Sequence, residues 1–174
     1  MSEALEAHEH AEHAEHATEP FTKKVAATMA IIAAGLAIVA VLGHIKTTEE
    51  LLNQQKSSDQ WSFYQAKNIR RYESEIARDV LTATKGEKVA EYGANAERYK
   101  KEGEEIQEKA RDLEKESEFA GRQALRLHLG EVFLEIAIVF ASLAILAKRS
   151  ALWGVSVVGA GVGIAIALTT LMIH

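Results

Sequence analysis

No cysteine occurs among the 174 residues, and proline occurs once. Without cysteine there is no disulfide, no thiolate nucleophile and no Cys-ligated zinc or iron–sulfur centre, and the redox compartment cannot be read from the chain. The absence of charge from three stretches excludes more. Between Val25 and Ile45 the only ionisable residue is His44, between Val132 and Ala147 only Glu135, and between Ala151 and Ile173 there is none. A soluble helix keeps one polar face, whereas about 20 apolar residues at 1.5 Å rise cross the roughly 30 Å hydrocarbon layer. A mean hydropathy near zero therefore hides three membrane-length blocks. A single soluble globular domain is excluded.

The charge that is present is segregated. Residues 1–24 hold Glu3, Glu6, Glu9, Glu12, Glu15 and Glu19 against Lys23 and Lys24, and account for most of the formal net charge of −5. From 46 to 131 the basic and acidic residues nearly balance. A phosphate-binding surface needs an uncompensated basic stripe, so no nucleic-acid partner is expected.

These patterns predict an all-α membrane protein: three transmembrane helices, with a long extramembrane antiparallel helical hairpin, coiled-coil-like, between the first and second. The expected boundaries are an acidic His/Glu-rich tail at 1–24, transmembrane helices at 25–45, 127–147 and 151–173, and the hairpin at 46–126. Pro20 suits a first helical turn, where its missing N–H costs nothing. A signal peptide is the alternative for the first block, but its apolar run exceeds the usual 7 to 15 residues and its leader is long and acidic. An uncleaved anchor fits better.

The stretch from Lys46 to about Arg126 lacks proline and is rich in Ala, Glu, Lys, Gln and Arg, which lose little on entering a helix. Its break is expected near 82–87, where Thr82 and Thr84 run into Gly86, a residue able to take the left-handed conformation that ends helices. The second arm carries a seam with spacings of three and four running from Val89 and Tyr92 to Leu127. Its small members, Ala96, Gly103, Ala110, Ser117 and Ala124, favour close approach of a partner helix over a wide leucine zipper. On the first arm Ile69, Tyr72, Ile76, Val80 and Ala83 fall at helical spacing and are the expected answering face. The partner of the seam is either the other arm or a neighbouring chain.

Lys148, Arg149 and Ser150 are the whole connection between the last two blocks, so those helices are antiparallel neighbours. A cationic pair followed by Trp153 marks a membrane boundary, and positive residues of short loops stay in the cytoplasm. The N-terminus, Lys23, Lys24 and the 148–150 turn are therefore placed on the cytoplasmic side of an inner (plasma) membrane. The hairpin is then periplasmic or extracellular.

Four groups of residues could carry chemistry. In the tail His8, His10, His13 and His16 could bind a divalent metal through neutral imidazoles, and the bland reading is a solvated acidic segment. No other cofactor is expected. His128, Glu131 and Glu135 share one helix face, and with His44 and Lys46 they form either an intramembrane ion or proton site or, as favoured, a register-fixing salt bridge of Lys46 with Glu131 or Glu135. In the third block Gly159 and Gly163 form a small-xxx-small pair, which serves either an oligomer contact or packing within one chain. No strand precedes these glycines, so they are not a dinucleotide fingerprint. Finally, Trp61, with Phe63 and Tyr64 just after it, lies about 24 Å along the helix from Ile45, beyond an interfacial belt. They pack on the opposite arm or form a hot spot for another subunit or protein.

The Ala-rich first block, the motif Trp61-Ser-Phe-Tyr-Gln-Ala-Lys-Asn-Ile-Arg70, the charged helical middle, the run Glu131-Val-Phe-Leu-Glu-Ile-Ala-Ile-Val-Phe-Ala-Ser-Leu-Ala-Ile-Leu146 and the Gly-rich last block resemble an uncharacterised bacterial membrane-protein family, catalogued as domain of unknown function 4337. The resemblance covers most of residues 23–173 and implies architecture only, with no activity, catalytic residue or cofactor to transfer. The expectation is a non-enzymatic integral membrane protein that forms a homo-oligomeric scaffold or docking assembly, with a possible unidentified protein partner at the hairpin. An oligomeric ion or solute channel is the first alternative, and a metal-responsive protein using the tail is the second. No Ser-His-Asp order, phosphate loop or compact carboxylate pair points to an enzyme.

Overall fold

A computed structural model describes residues 20–172, so the tail with His8, His10, His13 and His16 lies outside the described residues. Three helices follow in order: α1, Pro20–Ala83; α2, Val89–Ala147; and α3, Ser150–Leu168, which runs into a 3₁₀ turn at Thr169–Met172. No strand occurs among the described residues. Each helix contains a stretch long and apolar enough to cross a membrane. Neither α1 nor α2 breaks where its composition changes from apolar to charged, because good helix formers occupy both sides of the change and no proline intervenes.

Pro20 opens α1, as its fixed φ and missing N–H allow. The other end closes with a Schellman motif. The Gly86 N–H bonds to the Leu81 carbonyl at 2.8 Å and the Lys85 N–H to that of Thr82 at 3.4 Å. The left-handed residue of this motif is Lys85 (φ 52°), which corrects the expectation that Gly86 would take that role. Gly86 is required for space instead, since a Cβ there would lie 2.6 Å from Leu81 Cδ2.

The chain forms two compact units, one from the described parts of 1–45 and 123–174, the other from 46–122. In the first unit the interior is made of small residues. Ala137, Ala141 and Ala144 of α2 and Ser156, Ala160 and Gly163 of α3 are buried, with Val25, Ile32 and Val39 of α1 and Leu134 of α2 as the larger members. The bulky apolar residues point outward, among them Ile31, Ile38, Val139, Leu146 and Val158. The closest approach is between Gly130 and Gly163: a Cβ on either would lie 2.7–2.8 Å from the other's carbonyl oxygen. A Cβ on Gly159 would lie 3.7 Å from Ala137 Cβ. Both glycines considered for an oligomer contact therefore face α2 of their own chain. Near the 148–150 turn, Lys24 Nζ sits 4.3 Å above the Trp153 ring, whose N–H reaches Thr28 Oγ1 at 3.3 Å.

In the second unit α1 and α2 run antiparallel. Ser57 Oγ donates to the Ala110 carbonyl and Ser117 Oγ to the Glu50 carbonyl, each at 3.0 Å, and Tyr64 lies over Gly103. The small positions of the α2 seam, Ala96, Gly103, Ala110 and Ser117, are buried as the spacing predicts. The answering face of α1 is different from the one expected. Asn53, Ser57 and Ser74 are buried, while Ile69, Tyr72, Ile76 and Val80 are 53–64% exposed. The physical reason is the narrow gap: helices that meet over Ala, Gly and Ser admit Ser and Asn between them, and the serine hydroxyls find carbonyls within reach.

The glycine contact gives a direct test. Gly130→Ala and Gly163→Ala force two backbones apart and should each destabilise the detergent-solubilised protein by about 1–3 kcal/mol. Gly154→Ala and Gly161→Ala, which have nothing within 4 Å of the added methyl, should leave its thermal unfolding unchanged.

Candidate functional site

Two polar groupings stand out, one in each unit. In the first unit, α2 carries His128 and Glu131 one turn apart, so the helix itself brings His128 Nδ1 to 3.0 Å from Glu131 Oε2. The His44 ring of α1 meets the His128 ring edge-on at 6.0 Å. Gly43 makes room for this arrangement, because a Cβ there would stand 3.1 Å from His128 Cε1. The pair is partly sheltered, with side chains 40% and 21% exposed for His128 and Glu131. Two imidazoles beside a carboxylate can accept, hold and pass a proton.

Two expected members stand elsewhere. Lys46 pairs with Glu49 at 2.8 Å, one turn along its own helix, in place of the expected pairing with Glu131 or Glu135. A local partner at i+3 needs no ordering across helices, and Glu131 is engaged by His128. Glu135 is exposed on the outside of the apolar part of α2. Among the described residues no group of three or more His, Asp or Glu side chains is placed to hold a metal ion.

In the second unit, Trp61 is half-buried and its Nε1–H donates to Glu114 Oε1 at 2.8 Å across the hairpin. Tyr64 stacks edge-on against it with ring centroids 5.6 Å apart. One turn further, Lys67 bonds to Glu102 and lies over the Tyr99 ring. Trp61 and Tyr64 thus pack on the opposite arm, whereas Phe63 is 59% exposed. Beside them an open cleft of about 430 Å³ is lined by Glu50, Gln54, Ser57, Trp61, Glu114 and Ser117. Its character is acidic and it is open to solvent.

Apolar periodicity does not reveal Glu50, Asn53, Ser57 and Glu114, because they are polar. The usable signal is that Glu50, Asn53, Ser57 and Tyr64 keep spacings of three, four and seven on α1.

The Glu102 carboxyl is held below its ordinary value of 4.5, chiefly by the hydrogen bond from Lys67; lost solvation opposes this, and the charges of Lys67, Arg98 and Arg70 each add a lesser downward pull. A carboxyl lowered on folding stabilises the fold above its unfolded value, and that contribution is lost as pH falls through the lowered value. The melting temperature of Glu102→Gln should therefore fall below that of the parent at pH 7, the gap should close in acid, and high salt should shrink it. Circular dichroism melts across pH check this.

The family model described as Domain of unknown function (DUF4337) matches residues 21–173, in agreement with the resemblance carried by the Trp61–Arg70 motif and the Glu131–Leu146 run. No curated protein and no solved structure matches the chain.

Proposed function

We propose that this chain, which belongs to the DUF4337 family, is a non-enzymatic integral membrane protein whose hairpin serves a homo-oligomeric scaffold or docking assembly. The observation that carries the membrane reading is the inverted interior of the first unit. Alanine, glycine and serine supply much of the inside, around a few larger residues such as Ile32, Val39, Leu127 and Leu134, while Ile38, Val139, Leu146 and Val158 face out, which suits a solvent as apolar as leucine, where close packing and not hydrophobicity holds helices together. In water the same surface would be a large exposed apolar patch.

The scaffold reading is supported by the second unit. It is a helical hairpin with two clefts open to solvent, one beside Trp61 and one along Glu104, Glu108 and Arg111. The seam of α2 is occupied by α1 of the same chain, so association between copies has to use outward surfaces. On this reading the protein lies in the inner (plasma) membrane with Lys23, Lys24, Lys148 and Arg149 on the cytoplasmic side, an orientation supported by the positive residues of the short 148–150 turn. Light scattering on the detergent-solubilised protein, corrected for detergent, should give a protein mass several times 19.1 kDa. A folded monomer would refute the assembly.

The His44–His128–Glu131 grouping and the outward Glu135 favour one second reading, an oligomeric channel or transport subunit. On that reading Glu131→Gln and Glu135→Gln each reduce ion flux into proteoliposomes at least several-fold. Unchanged flux in both variants would eliminate it.

A further inference from the structure

Charge in the first unit is divided between its two ends. One end carries Arg126, His128, Glu131 and Glu135 of α2 with His44 of α1, so acids and bases are mixed there. The other carries Lys23 and Lys24 of α1 and Lys148 and Arg149 of the turn, all four exposed, with no acid among its described residues. The nearest described carboxylate of the unit, Glu135, lies 12 residues and about 18 Å before the end of α2. Directly after Arg149, α3 opens without an acidic residue in its first turn. The two cationic pieces are also held together. Val25 and Met29 of α1 pack with Ala141 and Ala144 of α2 and with Leu152 of α3. Trp153 ties α3 to α1 twice, through the Lys24 ammonium 4.3 Å above its ring and through its N–H to Thr28. The positive charge is therefore gathered on one packed end and not scattered over separate helices.

We infer that this end is a binding surface for the headgroup of an anionic phospholipid. The inference rests on the membrane reading above and names a ligand for one of its boundaries. On that reading the apolar segments of all three helices begin or stop beside these four residues, which places them at the depth of the lipid phosphates, where the amphipathic Trp153 ring also belongs. A zwitterionic headgroup brings an ammonium of its own to the cluster and an anionic one does not, so the surface favours the anionic lipid. The competing anion within the chain is the acidic tail. Of its six glutamates only Glu19 stands four residues from Lys23, and counting it against the four cations leaves a net charge of +3. Holding the other five, spread over residues 3–15, against this surface costs chain entropy, whereas lipid phosphates surround it already.

The test uses the full-length protein in mild detergent, mixed with equal amounts of phosphatidylglycerol and phosphatidylcholine of the same acyl chains, and native mass spectrometry reads which lipid stays bound. Phosphatidylglycerol should be retained over phosphatidylcholine by at least about fivefold. Lys24→Gln combined with Arg149→Gln should bring the ratio close to one. Lys24→Arg combined with Arg149→Lys, and Arg126→Gln at the opposite end, should keep the parental ratio, with circular dichroism showing that every variant retains its helices. A parental ratio near one, or an unchanged ratio in the Lys24→Gln, Arg149→Gln variant, overturns the inference. Displacement of the lipid by millimolar inorganic phosphate identifies a soluble phosphate as the ligand and overturns the lipid assignment. A preference that appears only after Glu3→Gln, Glu6→Gln, Glu9→Gln, Glu12→Gln, Glu15→Gln and Glu19→Gln are combined shows the tail seated on the surface and overturns it too. Recovery of the parent in the soluble fraction of cells lysed without detergent removes the membrane reading and the inference together. Membrane-bound protein without a headgroup preference removes the inference alone.

Discussion

When a serine hydroxyl on one helix reaches a main-chain carbonyl on the next, as Ser57 does to Ala110 and Ser117 to Glu50, the side chains between the two backbones have to be small. The α2 seam satisfies that condition with Ala96, Gly103, Ala110 and Ser117, and α2 continues it with Ala124, Gly130, Ala137, Ala141 and Ala144. Closeness then dictates the remainder. In the second unit it leaves room for Asn53 and Ser57 but not for branched apolar side chains, which are turned outward. In the first unit it brings Gly130 and Gly163 into backbone contact and sends most of the larger aliphatic residues to the outside.

On the membrane reading proposed above, the same packing rule acts in two solvents with opposite consequences. Outward leucine, valine and isoleucine on the first unit match a hydrocarbon surrounding and need no further partner. Outward isoleucine and tyrosine on the hairpin, beside water and charge, have an unfavourable surrounding until something covers them. Between these extremes lies the His44–His128–Glu131 grouping, where a carboxylate within an otherwise apolar stretch has an imidazole within hydrogen-bond distance on its own helix.

Much of this architecture is legible from the chain. The uncharged runs give the number and length of the apolar segments, and the unbroken threes and fours from Val89 onward give the buried face of α2. What periodicity could not supply is the face of α1, because counting apolar residues selects Ile69, Tyr72 and Ile76, and here the buried positions are polar. The seam of small residues held the clue: a narrow partner calls for Ser and Asn. At the turn, glycine's backbone freedom suggested Gly86 as the left-handed residue, whereas the helix ended one position earlier and Lys85 took that conformation, leaving Gly86 to avoid Leu81. Lys46 pairs with Glu49 because a local acid is available at no cost in register. The match of Gly163 with Gly130 joins positions 33 residues apart, a distance over which no local rule carries information.

The small positions of α2 recur every seven residues, at 96, 103, 110, 117 and 124, and the two serine-to-carbonyl bonds are likewise seven apart on both helices. Steric fit alone is therefore degenerate: sliding one arm past the other by a heptad, about 10.5 Å, again sets small residues against a helix. The true register is selected by the short Schellman turn and by unrepeated pairs such as Trp61 with Glu114 and Lys67 with Glu102. The hairpin is in this sense a vernier, whose arms can lengthen or shorten together in steps of seven and in no other increment without losing their fit.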